Sequence, residues 1–343
     1  MRSHDNTLYV TTQGAYLARE GTNILVRVDK STRARFPAHT LGGIVCFGNV
    51  SCSPFAMALC ANEGVSLAFL SEQGRFLSRV QGPQSGNLLL RRAQHESTSD
   101  SQMAAEVARH VVMAKVANAR RVLQRAIRDH GTKLDSNRVA AAARRLGSLV
   151  RELDHPLPLE RVRGVEGDAA RTYFEMFDHL VVAQKKEFFF RERSRRPPRD
   201  GLNALLSFLY AILTNDVVAA CEAVGLDPQM GFLHADRPGR PSLALDLVEE
   251  CRAVLADRLA LSLVNRRQVT GQGFERQESG AVLMKDATRK TVLTAYQERK
   301  SREVQHPFLQ EKITIGILPH VQARLLARFL REDLDAYPPY FWK

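Results

Sequence analysis

Along the first 82 residues, apolar and β-branched positions come in short runs: 8–12, 16–20 and 23–28, then 44–47, 65–70 and 75–80. Turn residues separate the first three, with Gln13-Gly14 and Gly21-Thr22 between them. Runs of this length bounded by such turns predict strands, and the first three predict a meander of hairpins. Ser53-Pro54 interrupts the pattern with an N-cap serine and a proline at the first helical position, so one helix is expected over 54–61. A small β domain over 1–82 follows.

After Gly82-Pro83 the periodicity changes to Ala, Arg, Leu and Val at helical spacing. Helices are expected over about 87–130, with a break at the polar cluster 97–101, and over 135–153, 166–190, 201–224, 242–266, 282–303 and 319–335. Gly131, Pro156, Pro158, Pro197-Pro198, Pro228, Pro238 and Pro307 supply the breaks. The fold class expected is α+β, a small N-terminal β domain followed by a larger all-α domain over 83–343, with no internal repeat.

Composition narrows the classes of function. At 343 residues, 44% hydrophobic and 25% charged, the chain has the length and apolar content for two domains with real cores, which argues against disorder. No stretch approaches the ~18 continuous apolar residues of a membrane span, and the polar start at residues 1–6 is unlike a signal peptide. Five cysteines without a C-x-x-C pair indicate neither a disulfide framework nor a zinc knuckle, so a reducing cytoplasm is expected. Forty-nine Lys and Arg against 37 Asp and Glu leave a net charge of +12, which favours a polyanion, and without a membrane segment that polyanion is nucleic acid. Two runs concentrate the charge. Residues 109–128 hold six basic residues, Lys115 among them, and no acid; residues 185–199 hold seven basic and two acidic. Phosphate contacts are expected there, at Arg191, Arg193, Arg195, Arg196 and Arg199 in particular, and at Arg237 and Arg240 further on.

Three polar constellations are candidates for chemistry. Glu166 sits between Gly164 and Gly167 at what reads as a helix start, where it either meets a ligand closely or serves the helix dipole. His234 follows Gly231-Phe232-Leu233 and is either a ligand or a packed core histidine. Asp246, Glu249 and Glu250, spaced i, i+3 and i+4, share one helix face, which is either a site or the solvated side of an amphipathic helix. Together they offer the carboxylate and imidazole donors that suit Mg²⁺ or Mn²⁺, and a divalent cation beside a phosphodiester neutralises charge and acidifies the attacking water or hydroxyl. No P-loop, G-x-S-x-G, Rossmann or H-E-x-x-H pattern competes.

The stretches GVEGDAARTYF at 164–174, RRPPRDGLNALLSFLY at 195–210 and GLDPQMGFLHADRPGRPSLALDLVEE at 225–250 strongly resemble the CRISPR-associated spacer-acquisition endonuclease, the integrase subunit of the adaptation complex, in the branch accompanying type I-C systems. YQERK at 296–300, HPFL at 306–309 and Tyr337-Pro338-Pro339 are similar to the same branch. The resemblance implies a β domain that homodimerises, a helical catalytic domain, and a small ferredoxin-like partner protein whose dimer is flanked by two dimers of this chain. It implies joining of the 3′-hydroxyl ends of a short double-stranded DNA into a CRISPR array. By the same resemblance a divalent metal is held by Glu166, His234 and Glu249, with Asp246 as a neighbouring catalytic acid. Ala253 stands where relatives commonly carry proline, a change expected to act on helix geometry. Two other functions share these residues: a structure-selective nuclease of branched DNA, and a non-catalytic DNA-binding scaffold.

Overall fold

The computed structural model describes residues 6–83 and 87–343. Most of the polar start that argues against a signal peptide, residues 1–5, lies outside the described residues, as do 84–86 just after the Gly82-Pro83 boundary. The chain divides into two compact units: the first comprises the N-terminal 86 residues with Leu293–Arg302 and Thr314–Ile317, and the second comprises the remainder.

In the first unit the elements are β1 (Thr7–Val10), β2 (Tyr16–Glu20), β3 (Asn23–Val28), β4 (Ser31–Pro37), β5 (Gly43–Phe47), β6 (Ser51–Cys52), α1 (Pro54–Asn62), β7 (Ser66–Leu70) and β8 (Phe76–Val80). They form two four-stranded sheets, ordered β4-β3-β2-β6 and β1-β5-β7-β8. Of the three strands expected to form a meander only β2 and β3 pair as a hairpin, which β4 extends antiparallel, and β7 and β8 form a second antiparallel pair. By contrast β1, β5 and β7 run parallel, so crossovers through β2–β4 and α1 replace hairpins. The strand β4 has no apolar signal in the sequence, since none of its residues is buried and its alternation is not apolar. Helix α1 starts as expected, with Ser53 Oγ accepting from Ala56 N at 3.1 Å. Leu17 and Ile24 from one sheet, Ile44 and Leu67 from the other, and Leu59 and Cys60 from α1 share one core.

The second unit opens with α2 (Leu88–Ser99) and α3 (Ser101–His130). The break read at 97–101 is the N-cap of α3: Asp100 Oδ1 accepts from Gln102 N and Met103 N at 2.8 and 3.2 Å. Then come α4 (Ser136–Leu153), α5 (Leu159–Glu175), α6 (Gly201–Val224), α7 (Ser242–Arg252), a π-helical turn (Ala253–Asp257) and α8 (Arg258–Asn265). The remaining elements are β9 (Phe274–Arg276), β10 (Val282–Met284), α9 (Asp286–Lys300), β11 (Glu303–Gln305), β12 (Lys312–Thr314) and α10 (Leu318–Leu330), of which α9 and β12 are divided between the two units and the others belong to the second.

Two helix expectations are corrected. The helix expected over 166–190 instead starts after Pro158 and ends at Glu175, so Glu166 lies mid-helix and not at a helix start. Beyond a short 3₁₀ turn the chain is irregular, because side chains supply its backbone partners: Asp178 accepts from Phe190 N at 2.7 Å and Asn265 from Val182 N at 2.9 Å. Its apolar residues Phe188 and Phe190 are buried without helical order. The helix expected from 282 begins at Asp286, since Val282–Met284 pairs antiparallel with β9 as a hairpin.

Helix α6 runs from an Asp200 N-cap to Gly225 at φ 94°, a left-handed stop that favours glycine. Among the described residues it is the one helix long and apolar enough to cross a membrane, and the greater part of that stretch is buried inside the protein.

Candidate active site

Helix α7 carries three acids on one face, and all are buried: Asp246 is 1% exposed, Glu249 8% and Glu250 0%. The solvated-face alternative therefore fails. A buried carboxylate is costly unless donors surround it, and each of the three finds a different set.

Glu249 faces α3 and α5. Its Oε2 receives Lys115 Nζ at 2.8 Å, and the same ammonium contacts Glu166 Oε1 on α5. Arg252, one turn along α7, donates Nη1 to Glu249 Oε2 at 3.0 Å and Oε1 at 3.3 Å. Burial raises the Glu249 pKa, but Arg252 and Lys115 outweigh it and hold the carboxyl at about 2. Arg252 is itself fixed: Nη2 donates to Tyr210 OH at 3.0 Å, and the guanidinium lies over the rings of Phe174 at 5.4 Å and Tyr210 at 4.7 Å. Tyr210 OH donates a hydrogen bond to Asp257 Oδ1, at the end of the π-helical turn. That turn begins at Ala253, the position where the resemblance had suggested altered helix geometry.

Asp246 is spent on the loop before α7. Oδ2 accepts from Phe232 N and Leu233 N at 2.7 and 3.0 Å, while Oδ1 accepts from His234 N at 3.1 Å and pairs with His234 Nδ1 at 2.7 Å. Four donors fill the carboxylate, so Asp246 acts by orientation and has no lone pair left for a cation. Facing a carboxylate, Nδ1 carries a proton, so in the neutral ring His234 Nε2 is the acceptor nitrogen. The loop sits close because Gly231 has no side chain: a Cβ there would lie 2.7 Å from the Ser242 carbonyl carbon. Arg163 of α5 pins the other side by donating to Leu233 O at 2.9 Å. His234 is partly exposed, not a packed core histidine.

The donor types fit a hard divalent cation: two carboxylates already share one cationic group, and an imidazole nitrogen is left unprotonated nearby. His234 is near enough to Glu249 that a protonated ring would lower that carboxyl further. Among the described residues no three His, Cys, Asp or Glu side chains form a ready metal-binding cluster, and Glu166 and Glu249 meet at the Lys115 ammonium.

Glu250 faces away from this pair. It accepts from Tyr337 OH at 2.5 Å and from Gln322 Nε2 and Tyr340 N at 2.8 Å each. Burial nonetheless pushes its carboxyl up to about 7. Asn118, on α3 one turn from Lys115, ties the same segment: Nδ2 donates to Glu250 O and Tyr340 O at 2.9 Å, and Oδ1 accepts from Trp342 N at 2.8 Å. The C-terminal residues are thereby bound to both helices that hold the site.

The basic runs sort into outward and inward groups. Arg191, Arg195, Arg196, Arg199 and Arg237 are exposed, and Arg240 is half-buried. Arg193 is turned inwards, donating to Asn203 Oδ1 at 2.7 Å and Ser207 Oγ at 3.1 Å and lying over Tyr210. Lys115, read as part of a phosphate-binding run, is buried against the two glutamates. Sequence reasoning missed Asn118 and Arg252 and gave Lys115 to phosphate in place of the two glutamates. The one available signal was a lysine and an asparagine three apart within an apolar helix stripe, where polar residues need partners.

A family model described as CRISPR associated protein Cas1 matches residues 8–298. This chain belongs to the Cas1 family. A relative from Chlorobaculum tepidum named CRISPR-associated endonuclease Cas1 1 is 51% identical over 343 residues, covering 100% of both chains. The fold of this Cas1 family member is similar to that of a Cas1 protein from Thermotoga maritima, with TM-score 0.80, 21% identity and coverage of 95% of this chain and 97% of the other. It is also similar to a casposase bound to integration product, with TM-score 0.82, 21% identity and coverage of 97% and 93%. Both solved structures have the same mixed α+β architecture, a β region followed by a largely helical domain.

Proposed function

We propose that this Cas1 family member is a metal-dependent DNA endonuclease and integrase of CRISPR adaptation, in the branch accompanying type I-C systems. It inserts short duplex fragments into the array by 3′-hydroxyl attack on a phosphodiester, with the cytoplasm as its place of action. The observation that carries this is the pairing of Glu166 and Glu249 about one cationic group, beside a histidine whose ring is oriented by Asp246. The naming of the Chlorobaculum tepidum relative as an endonuclease adds to it.

Glu166, His234 and Glu249 are the residues that would hold Mg²⁺ or Mn²⁺. Bound there, such a cation neutralises charge on the reacting phosphodiester and makes the attacking hydroxyl more acidic. The chain's own residues do the rest. Asp246 fixes the His234 tautomer, Arg252 holds the Glu249 carboxylate, and the exposed Arg191, Arg195, Arg196, Arg199 and Arg237, with the half-buried Arg240, bind the DNA backbone. The β region over 1–82 serves as the homodimer surface, and residues 83–343 carry the site. A small ferredoxin-like partner protein bridges two such dimers so that two 3′ ends reach opposite sides of one repeat.

The test is integration into supercoiled plasmid carrying a repeat, with Mn²⁺ and the small partner, using the wild type and Glu166→Ala. Joined products from the wild type, lost in Glu166→Ala with duplex binding intact, are expected. Joining that survives Glu166→Ala refutes the assignment, and cleavage of branched DNA without joining assigns the site to a nuclease with water as nucleophile.

A further inference from the structure

Lysine is almost never buried without a partner, and Lys115 is 7% exposed with two partners, Glu166 Oε1 and Glu249 Oε2. Charge makes this arrangement informative. Two carboxylates face two cations, Lys115 and Arg252, so the cluster is neutral as it stands. A divalent cation entering it would share the two carboxylates with the ammonium and leave two surplus charges in a low-dielectric setting. Arg252 cannot yield, because Tyr210 OH and two aromatic rings hold it in addition to Glu249. Lys115 has a flexible four-carbon stem and a point charge. Glu166 is 30% exposed at its side chain, which gives an ion a route from solvent to the carboxylates.

We propose that Lys115 is a resident counter-cation of the site: its ammonium holds Glu166 and Glu249 together when no ion is bound, and it competes with a divalent cation for their oxygens. Loading then requires the ammonium to leave at least one carboxylate. The residue works through Glu166 and Glu249, so it is a positioning residue, and it sets how readily the site takes an ion. This rests on the metal-site reading of Glu166 and Glu249, and the experiment separates the two.

The measurement is Mn²⁺ binding to the full-length protein, read from the electron paramagnetic resonance signal of free Mn²⁺, for wild type, Lys115→Met, Lys115→Gln, Lys115→Arg and Glu166→Gln. With the competing charge removed, Lys115→Met and Lys115→Gln are expected to bind Mn²⁺ about tenfold more tightly or better. Lys115→Arg, which keeps the charge, should stay within about twofold of wild type. Thermal unfolding supplies a second readout that a merely structural lysine would not produce. Metal-free Lys115→Met should melt below wild type because the two carboxylates repel, and saturating Mn²⁺ should close that gap. Equal or weaker Mn²⁺ binding by Lys115→Met overturns the proposal, and where that variant does not fold, Lys115→Gln carries the same expectation and the same refutation. If Glu166→Gln binds Mn²⁺ as wild type does, the metal-site reading fails and the proposal with it; if Glu166→Gln weakens binding but neutralising Lys115 does not tighten it, the role of Lys115 alone fails.

Discussion

Replacing Asp246 by asparagine tests whether this acid works by orientation. The change keeps the shape but exchanges one acceptor oxygen for an –NH₂ group, which faces two N–H donors in either orientation. If Nδ2 takes the place of Oδ2, the bonds from Phe232 N and Leu233 N are lost; if it takes the place of Oδ1, those from His234 N and Nδ1 are lost. Hydrogen bonds to an ionised group are worth about 1.5–3 kcal/mol each. Relief of the buried charge returns part of that, so the net cost to the ordered loop should be about 3 kcal/mol. At ~1.4 kcal/mol per tenfold this is a rise of about 150-fold in local opening. Hydrogen exchange at the amides of Phe232, Leu233 and His234 reads it directly, with α4 as the internal control. Nitrogen-15 shifts of the His234 ring should move from one tautomer, protonated at Nδ1, to a mixture. Exchange within about threefold of wild type at these amides refutes the reasoning, as does an equal acceleration in α4, which would mean global destabilisation.

Asn118→Ala should lower stability by about 2–4 kcal/mol in urea unfolding, since three backbone groups, two of them buried, lose their partner, and combining it with removal of residues 341–343 should cost less than the sum of the two separate losses. Arg195→Ala with Arg196→Ala should reduce the slope of log K against log salt for duplex binding by about 1.8, whereas Arg193→Ala should leave the slope alone and lower the melting temperature. His110 on α3 is held neutral, with burial and the charge of Arg109 lowering its pKa from 6.5 to about 4. The unfolded chain then takes up a proton that the folded one refuses, so its contribution is present above pH 6.5 and is lost as pH falls towards 4. Allowing for partial exposure this amounts to about 1–2 kcal/mol, and His110→Gln should flatten the pH dependence of the urea midpoint over that window.

What could be read from sequence follows from where side chains spend their polarity. The strands β2 and β3 and the helix α6 were legible because their apolar patterns match burial and their ends carry local signals: Gly21 between the strands, Asp200 and Gly225 around the helix. The strand β4 was not, because pairing with β3 holds it while its side chains stay out of the core. The irregular stretch after α5 was not, because side chains replace its helical hydrogen bonds: Asp178 within it and Asn265 from a position distant in sequence accept from its backbone. At the site, the residue types and the i, i+3, i+4 spacing were visible, but their division of labour was not. Nothing in Asp246, Glu249 or Glu250 taken alone says which acid meets the loop, which meets Lys115 and which meets the C-terminal segment. The same limit applies to the arginines, since Arg193 and Arg195 are alike in the chain and opposite in the fold.

That division of labour follows from one turn of helix. At about 100° and 1.5 Å per residue, Asp246 and Glu250 are separated by roughly 40° and 6 Å along α7, with Glu249 roughly 60° to the other side of Asp246. Three carboxylates so spaced address three different neighbours: the 231–234 loop, the α3–α5 pair, and the 337–342 segment. Burying them is not an economical route to stability, since well-packed apolar residues often do as well as buried ion pairs. Each is matched by donors from a separate part of the chain, so a displacement of α7 disturbs all three sets together. The arrangement therefore converts the position of a single helix into the joint placement of His234, Glu249 and, through Lys115, Glu166. For the proposed phosphoryl transfer this is the useful quantity, because misplacing a reacting group by about 1 Å can cost about a hundredfold in rate.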